Sequence, residues 1–214
     1  MHKFLAEDRA QLDKILEDIL TEANHFLSEV DTRPVGTVSP ANIAAINIPN
    51  EGIGALETLA LFKERYAAWI SGSAGPRYYG FVTGGVTPAA LAGDWLTSVY
   101  DQNSLGSDES IAPQLELETI ALLRQLFGLP DEYTGSFVTG ATMSNFVGLA
   151  IARQWVGLKR NINFAEKGLW GTDPSPIFSA TPHSSIYKSL SMLGMGRETI
   201  TSIPCIPNRE AIDI

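Results

Sequence analysis

The stretch from Gly135 to Arg153 constrains this chain more than any other. Ser136-Phe137-Val138-Thr139 predicts a short apolar strand, and Gly140-Ala141 a turn of small residues. A helix is predicted from Thr142, as its N-cap, to about Trp155. Such a strand–turn–helix unit is a local design for holding a phosphate. Small residues let the backbone approach an anion, the first helical N–H groups have no intrahelical partner, and the helix dipole adds to the attraction.

The same alternation continues downstream. Ile177-Phe178-Ser179-Ala180 reads as a buried strand, a helix runs from about Ser184 to Met192, and Thr199–Ile203 begins another strand. The order from 136 onward is β-α-β-α-β, which predicts a parallel sheet flanked by helices, with ligands at the carboxyl ends of its strands. His183 stands at such an end, in Thr181-Pro182-His183-Ser184-Ser185. Position alone leaves two readings open, a hydrogen-bonded loop residue or an imidazole stacked flat on an aromatic cofactor. His2 and His25 lack that context, and His25 lies beside an apolar stripe as a structural residue.

Residues 4–30 predict one amphipathic helix, through Leu12, Ile15, Leu16, Ile19, Leu20, Ala23, Phe26, Leu27 and Val30. One stripe cannot bury itself, so this helix docks on its own domain or serves as a dimer arm. Six Pro and Gly residues between 31 and 55 predict an extended connector. Helices are then predicted over about 55–70, 88–100 and 112–127. Pro113 falls in the first turn of the last, and Gly128-Leu129-Pro130 follows its end. Between them, Arg77–Val82 carries three aromatic residues flanked by glycines, which suits either a buried strand or the wall of a pocket. Residues 160–175 read as a loop.

Composition excludes several function classes. The net charge of −9 and pI of about 4.8 oppose binding to nucleic acid or to anionic membranes. Cys205 is the only cysteine, so no intramolecular disulfide forms, which fits a cytoplasmic location. No apolar run reaches the roughly 18 residues of a membrane span. The N-terminus lacks the apolar core of a signal peptide.

Taken together, the motifs resemble the pyridoxal-phosphate-dependent (PLP-dependent) decarboxylases of group II, the aromatic-L-amino-acid and glutamate decarboxylase group. Gly140-Ala141-Thr142-Met143-Ser144-Asn145 looks like that family's phosphate loop, and His183-Ser184-Ser185, about forty residues later, like its His-Ser-Ser segment. Pro76-Arg77-Tyr78-Tyr79-Gly80-Phe81 is similar to the stretch bordering the substrate pocket, and Ala112-Pro113 with Glu116-Leu117-Glu118 to a family helix start. The resemblance covers roughly 50–205. Two departures stand out. Met143 occupies a position where the family usually has Glu, and Gly75 one where it often has His.

The resemblance implies an α/β fold, namely the N-terminal part of a fold-type I PLP-dependent transferase-like large domain. Its mainly parallel sheet and flanking helices would be preceded by an N-terminal helical segment. Residues 1–70 would form that segment and 71–214 the partial PLP-binding domain. It also implies roles. The cofactor is pyridoxal 5'-phosphate, held by Gly140, Ala141, Thr142 and Asn145, with His183 stacked on its ring as the catalytic residue. Tyr79, Phe81 and Thr83 would line the substrate side, and no metal is implied. The reaction is decarboxylation of an amino acid by a dimeric or larger homo-oligomer. Within the same fold another lyase or a transferase is the alternative, and a non-catalytic fragment acting in assembly is a third reading. None of Lys3, Lys14, Lys63, Lys159, Lys167 and Lys188 follows a His as the family's Schiff-base lysine usually does. No Asp stands in the pattern of the residue that pairs with the pyridine nitrogen. The expectation is that both reside in the remaining C-terminal part of the enzyme, present as a second chain.

Overall fold

The computed structural model describes residues 2–37, 47–48, 50–103, 110–173 and 175–213. The chain divides into two compact units, Met1–Asp101 and Gln102–Ile214. Part of the predicted connector, 38–46 and 49, lies outside the described residues.

The first unit is helical. The predicted helix over 4–30 is two helices, α1 (Lys3–Ala10) and α2 (Leu12–Glu29). They part at Gln11, whose φ of −110° and ψ of 18° leave the helical region. The apolar spacing runs through this break because side-chain periodicity does not report one residue's backbone angles. α3 (Ala55–Tyr66) and a 3-10 turn (Ala67–Trp69) follow, then α4 (Pro88–Tyr100). Gly54 holds the N-cap of α3 at φ +80° and has no side chain to cap with. The missing acceptor comes from α1, where Asp8 Oδ1 receives the Ala55 N–H at 2.9 Å. Lys63 on α3 reaches Glu22 on α2 at 2.8 Å. Arg33 ties the segment after α2 to the end of α3 by donating to the carbonyls of Ile70 and Ala67.

In the second unit, α5 (Ala112–Leu126) carries Pro113 in its first turn and ends in Gly128 at φ +63°. α6 (Ala141–Lys159) comes next, then α7 (Phe164–Lys167), β1 (Ile177–Ser179), α8 (Ser184–Met192), a 3-10 turn (Arg197–Thr199) and β2 (Ile200–Ser202). The predicted loop over 160–175 thus contains a short helix. β1 and β2 pair in parallel, with Ile177 opposite Ile200 and Ser179 opposite Ser202. The predicted strand Ser136–Thr139 is not one. Its residues are exposed, no described strand pairs with it, and the Phe137 N–H goes to Glu116 Oε1 on α5 at 3.3 Å. An apolar segment becomes a strand only when a neighbouring ladder takes its backbone groups.

The core of this unit lies where α6 meets α8. Leu190 and Ser189 are fully buried, and Leu193, Ser185 and Phe164 nearly so. Gly157 allows the chain after α6 to fold back. A Cβ there would stand 2.5 Å from the Phe164 ring, so only hydrogen fits. After α8 the chain turns at Gly194 (φ +72°) and Gly196 (φ +85°), and the Met195 N–H bonds back to the Leu190 carbonyl at 2.9 Å.

Candidate functional site

The start of α6 is open. Gly140, not Thr142, is its N-cap, and no side chain caps it. Gly140 has φ +154° and ψ 173°, a conformation open essentially to glycine alone, and a Cβ there would meet nothing within 4 Å. The first intrahelical bond is Ser144 N–H to the Gly140 carbonyl at 3.0 Å. The N–H groups of Ala141, Thr142 and Met143 therefore precede the helical ladder, on exposed residues with no acidic side chain in the turn. The sequence reading put the N-cap two residues late because Thr is the better capping residue. The backbone turns at the glycine instead, which leaves Thr142 inside the first turn.

Asn145, one turn further along α6, is half-buried and donates from Nδ2 to Ser185 Oγ on α8 at 2.8 Å. Ser185 Oγ is also 2.8 Å from His183 Nδ1. His183 is the N-cap of α8, and its Nδ1 accepts the Ser185 N–H at 3.2 Å. The imidazole thus replaces the usual Ser or Asp as capping acceptor. His183 remains an exposed residue, whereas Ser185 is 3% exposed. Two sequence motifs forty residues apart are joined by a continuous chain of hydrogen bonds, Asn145 to Ser185 to His183. Ser185 is the member that sequence reasoning passed over as a site residue. The available signal was its place two residues into a helix whose cap is His183.

Gly140, Ala141, Thr142, Asn145 and His183 accordingly all belong to the second unit. Tyr79, Phe81 and Thr83 belong to the first. There they occupy a turn, not the buried strand that was one of the two expectations. Tyr79 and Phe81 are 95% and 94% exposed. Phe81 and Val82 have φ of 54° and 60°, a left-handed backbone that is costly for a β-branched residue. The Tyr78 ring instead folds under the Gly80 backbone. Gly75 is set against Val30, whose carbonyl would stand 2.6 Å from a Cβ at that position. This backbone leaves no space at 75 for a side chain. Lys188 lies on α8 as an exposed residue. No helix among the described residues is long and apolar enough to cross a membrane.

No protein-family model matches the chain. Over 200 residues, 92% of its length, it is 26% identical to an aromatic-L-amino-acid decarboxylase of Bacillus atrophaeus, of which it covers 40%. It is 29% identical over 127 residues, 54% of its length, to an L-2,4-diaminobutyrate decarboxylase of Acinetobacter baumannii, of which it covers 25%. The crystal structure of Oryza sativa TDC with PLP and tryptamine superposes with a TM-score of 0.77 at 18% identity, over 95% of this chain and 43% of that one. The chain therefore spans less than half the length of the proteins it matches. It carries part of a fold-type I α/β architecture. By sequence and by fold this chain is similar to the group II PLP-dependent amino acid decarboxylases, over part of their length.

Proposed function

We propose that this chain is the portion of a PLP-dependent amino acid decarboxylase that binds the cofactor phosphate and stacks the catalytic imidazole on the cofactor ring. One observation carries the reading. The uncapped start of α6 and the imidazole heading α8 are joined through Asn145 and Ser185, so an anion site and an exposed aromatic ring are held by one packed helix pair.

The residues present fit the cofactor. The N–H groups of Ala141, Thr142 and Met143 offer donors to a phosphate, and Gly140 leaves open space where a Cβ would stand. Asn145 fixes the first turn of α6 against α8. His183 is anchored through Nδ1 and remains an exposed residue. Tyr79, Phe81 and Thr83 are assigned to the substrate side, and the division into 1–70 and 71–214 follows the same assignment. When bound, pyridoxal phosphate supplies the electron sink that accepts the electrons released with carbon dioxide. The protein's part is to hold the phosphate, orient the ring and restrict the geometry of the labile bond. The lysine that holds the cofactor and the Asp that pairs with its pyridine nitrogen are assigned to residues outside these 214. The complete enzyme is assigned as a cytoplasmic homo-oligomer acting on an amino acid.

The reading is tested by amide NMR of the chain during titration with pyridoxal phosphate, with phosphate-free pyridoxal as control. Pyridoxal phosphate should shift the Ala141, Thr142 and Met143 amides and pyridoxal should not. Shifts confined to other residues, or none, would remove the phosphate site. For the complete enzyme, carbon dioxide released from a panel of amino acids separates decarboxylation from other PLP-dependent lyase or transferase chemistry.

A further inference from the structure

We propose that Ser185 is a positioning residue that locks His183 as its Nε2–H tautomer. The Ser185 backbone N–H can only donate, and it points at His183 Nδ1 at 3.2 Å, so that nitrogen presents a lone pair. The Ser185 hydroxyl adds a second constraint. It accepts from Asn145 Nδ2 at 2.8 Å, and an amide NH2 can only donate. The single hydroxyl proton is then directed to the other neighbour, His183 Nδ1, also at 2.8 Å. Both interactions place the ring proton on Nε2, the nitrogen that Ser185 does not engage, on an exposed residue. There it has no hydrogen bond to a described residue. The cost of reversing this arrangement is set by burial. Ser185 is 3% exposed, so water cannot readily replace a lost partner.

The consequence deepens the proposed function and rests on it. The imidazole would meet the cofactor in one orientation, offering a hydrogen-bond donor at its free edge. A ligand group facing this edge would then be a hydrogen-bond acceptor, such as a carboxylate oxygen. Asn145 would act through Ser185, which couples the ring to the phosphate-binding helix.

Long-range 15N–1H correlation spectra of the full 15N-labelled chain, at a pH where imidazole is neutral, read the tautomer directly. His183 is assigned by its loss in His183→Gln. In the native chain, Nδ1 should resonate as an unprotonated nitrogen and Nε2 as a protonated one. Ser185→Ala removes the hydroxyl, and Asn145→Asp turns the donor into an acceptor that draws the hydroxyl proton away from the ring. The Ser185 backbone N–H remains in both variants, so each should move the two nitrogen shifts part of the way toward each other. An averaged or reversed native spectrum would overturn the proposal, as would native-like spectra in both variants. If Ser185→Ala fails to fold by circular dichroism, the native chain and Asn145→Asp decide the matter. The pyridoxal phosphate titration on the same sample is independent. A locked tautomer without shifts at Ala141–Met143 would defeat the cofactor reading and leave the tautomer assignment standing.

Discussion

Gly75 and Gly140 show how single residues set what this chain can hold. At Gly75 a methyl group would press on the Val30 carbonyl at 2.6 Å, and the atom it meets is backbone, which cannot swing aside. Gly75→Ala should destabilise the first unit by about 1–3 kcal/mol, as overpacking does, read as a lower urea midpoint at unchanged slope. At Gly140 the difficulty is the torsion, not space, because a Cβ would meet nothing. Gly140→Ala should therefore leave the core intact and move the free N–H groups. Pyridoxal phosphate should bind that variant roughly tenfold more weakly, the effect of a strain on the order of 1.4 kcal/mol. An unchanged titration midpoint would show that the φ of +154° is not what opens the site.

Between elements, the contacts that matter are polar and long in sequence. α3 begins at a glycine that cannot cap it, and Asp8 from α1 supplies the acceptor. Asp8→Ala should cost about 1 kcal/mol and loosen the start of α3, seen as faster amide exchange at Ala55. Lys63 and Glu22 join α3 to α2. The hydrogen bond to Glu22 raises the Lys63 pKa above its ordinary 10.5, partly opposed by desolvation and aided by the charges of Glu22 and Asp18. A raised folded-state value means that the pair's contribution is fully present below pH 10.5 and is lost as pH climbs through the folded-state pKa. Thermal unfolding of the native chain and of Lys63→Met should thus differ slightly at neutral pH and converge at strongly alkaline pH. A difference that persisted there would place the effect in packing instead. The hydrogen-bonded link between α6 and α8 is the functional counterpart of these contacts.

The whole molecule buries few apolar side chains for its composition. The chain is 44% hydrophobic, yet Ile15, Phe164, Leu190 and Leu193 are its only buried hydrophobic residues among those described. Trp170 is 100% exposed, and Leu126, Phe127 and Val99 expose about 70% or more. Scattered apolar exposure is ordinary, but this load is not. The isolated chain should therefore self-associate, running in light scattering above the 23.1 kDa of one copy and binding a hydrophobic dye. A monodisperse 23.1 kDa species without dye binding would contradict that expectation.

Most helices were legible because their signals are local. Apolar spacing, Pro113 and the Gly128-Leu129-Pro130 stop place α5 within a residue, and the same holds for α4 and α8. The parallel pairing of Ile177–Ser179 with Ile200–Ser202 also followed from the β-α-β order. The errors share a cause. The break at Gln11, the N-cap at Gly140 and the turn at Phe81–Val82 are backbone torsions that side-chain patterns do not encode. Ser136–Thr139 looked like a strand because its composition is strand-like, but a strand exists only with a partner. The sequence by itself determined most of the helices, the acidic balance and the two motifs, since these depend on composition and on neighbours within a few positions. Only the tertiary structure decided that Asn145 and His183 share a buried serine. That link spans forty residues, and no local pattern can state which side chains meet across a packed helix pair.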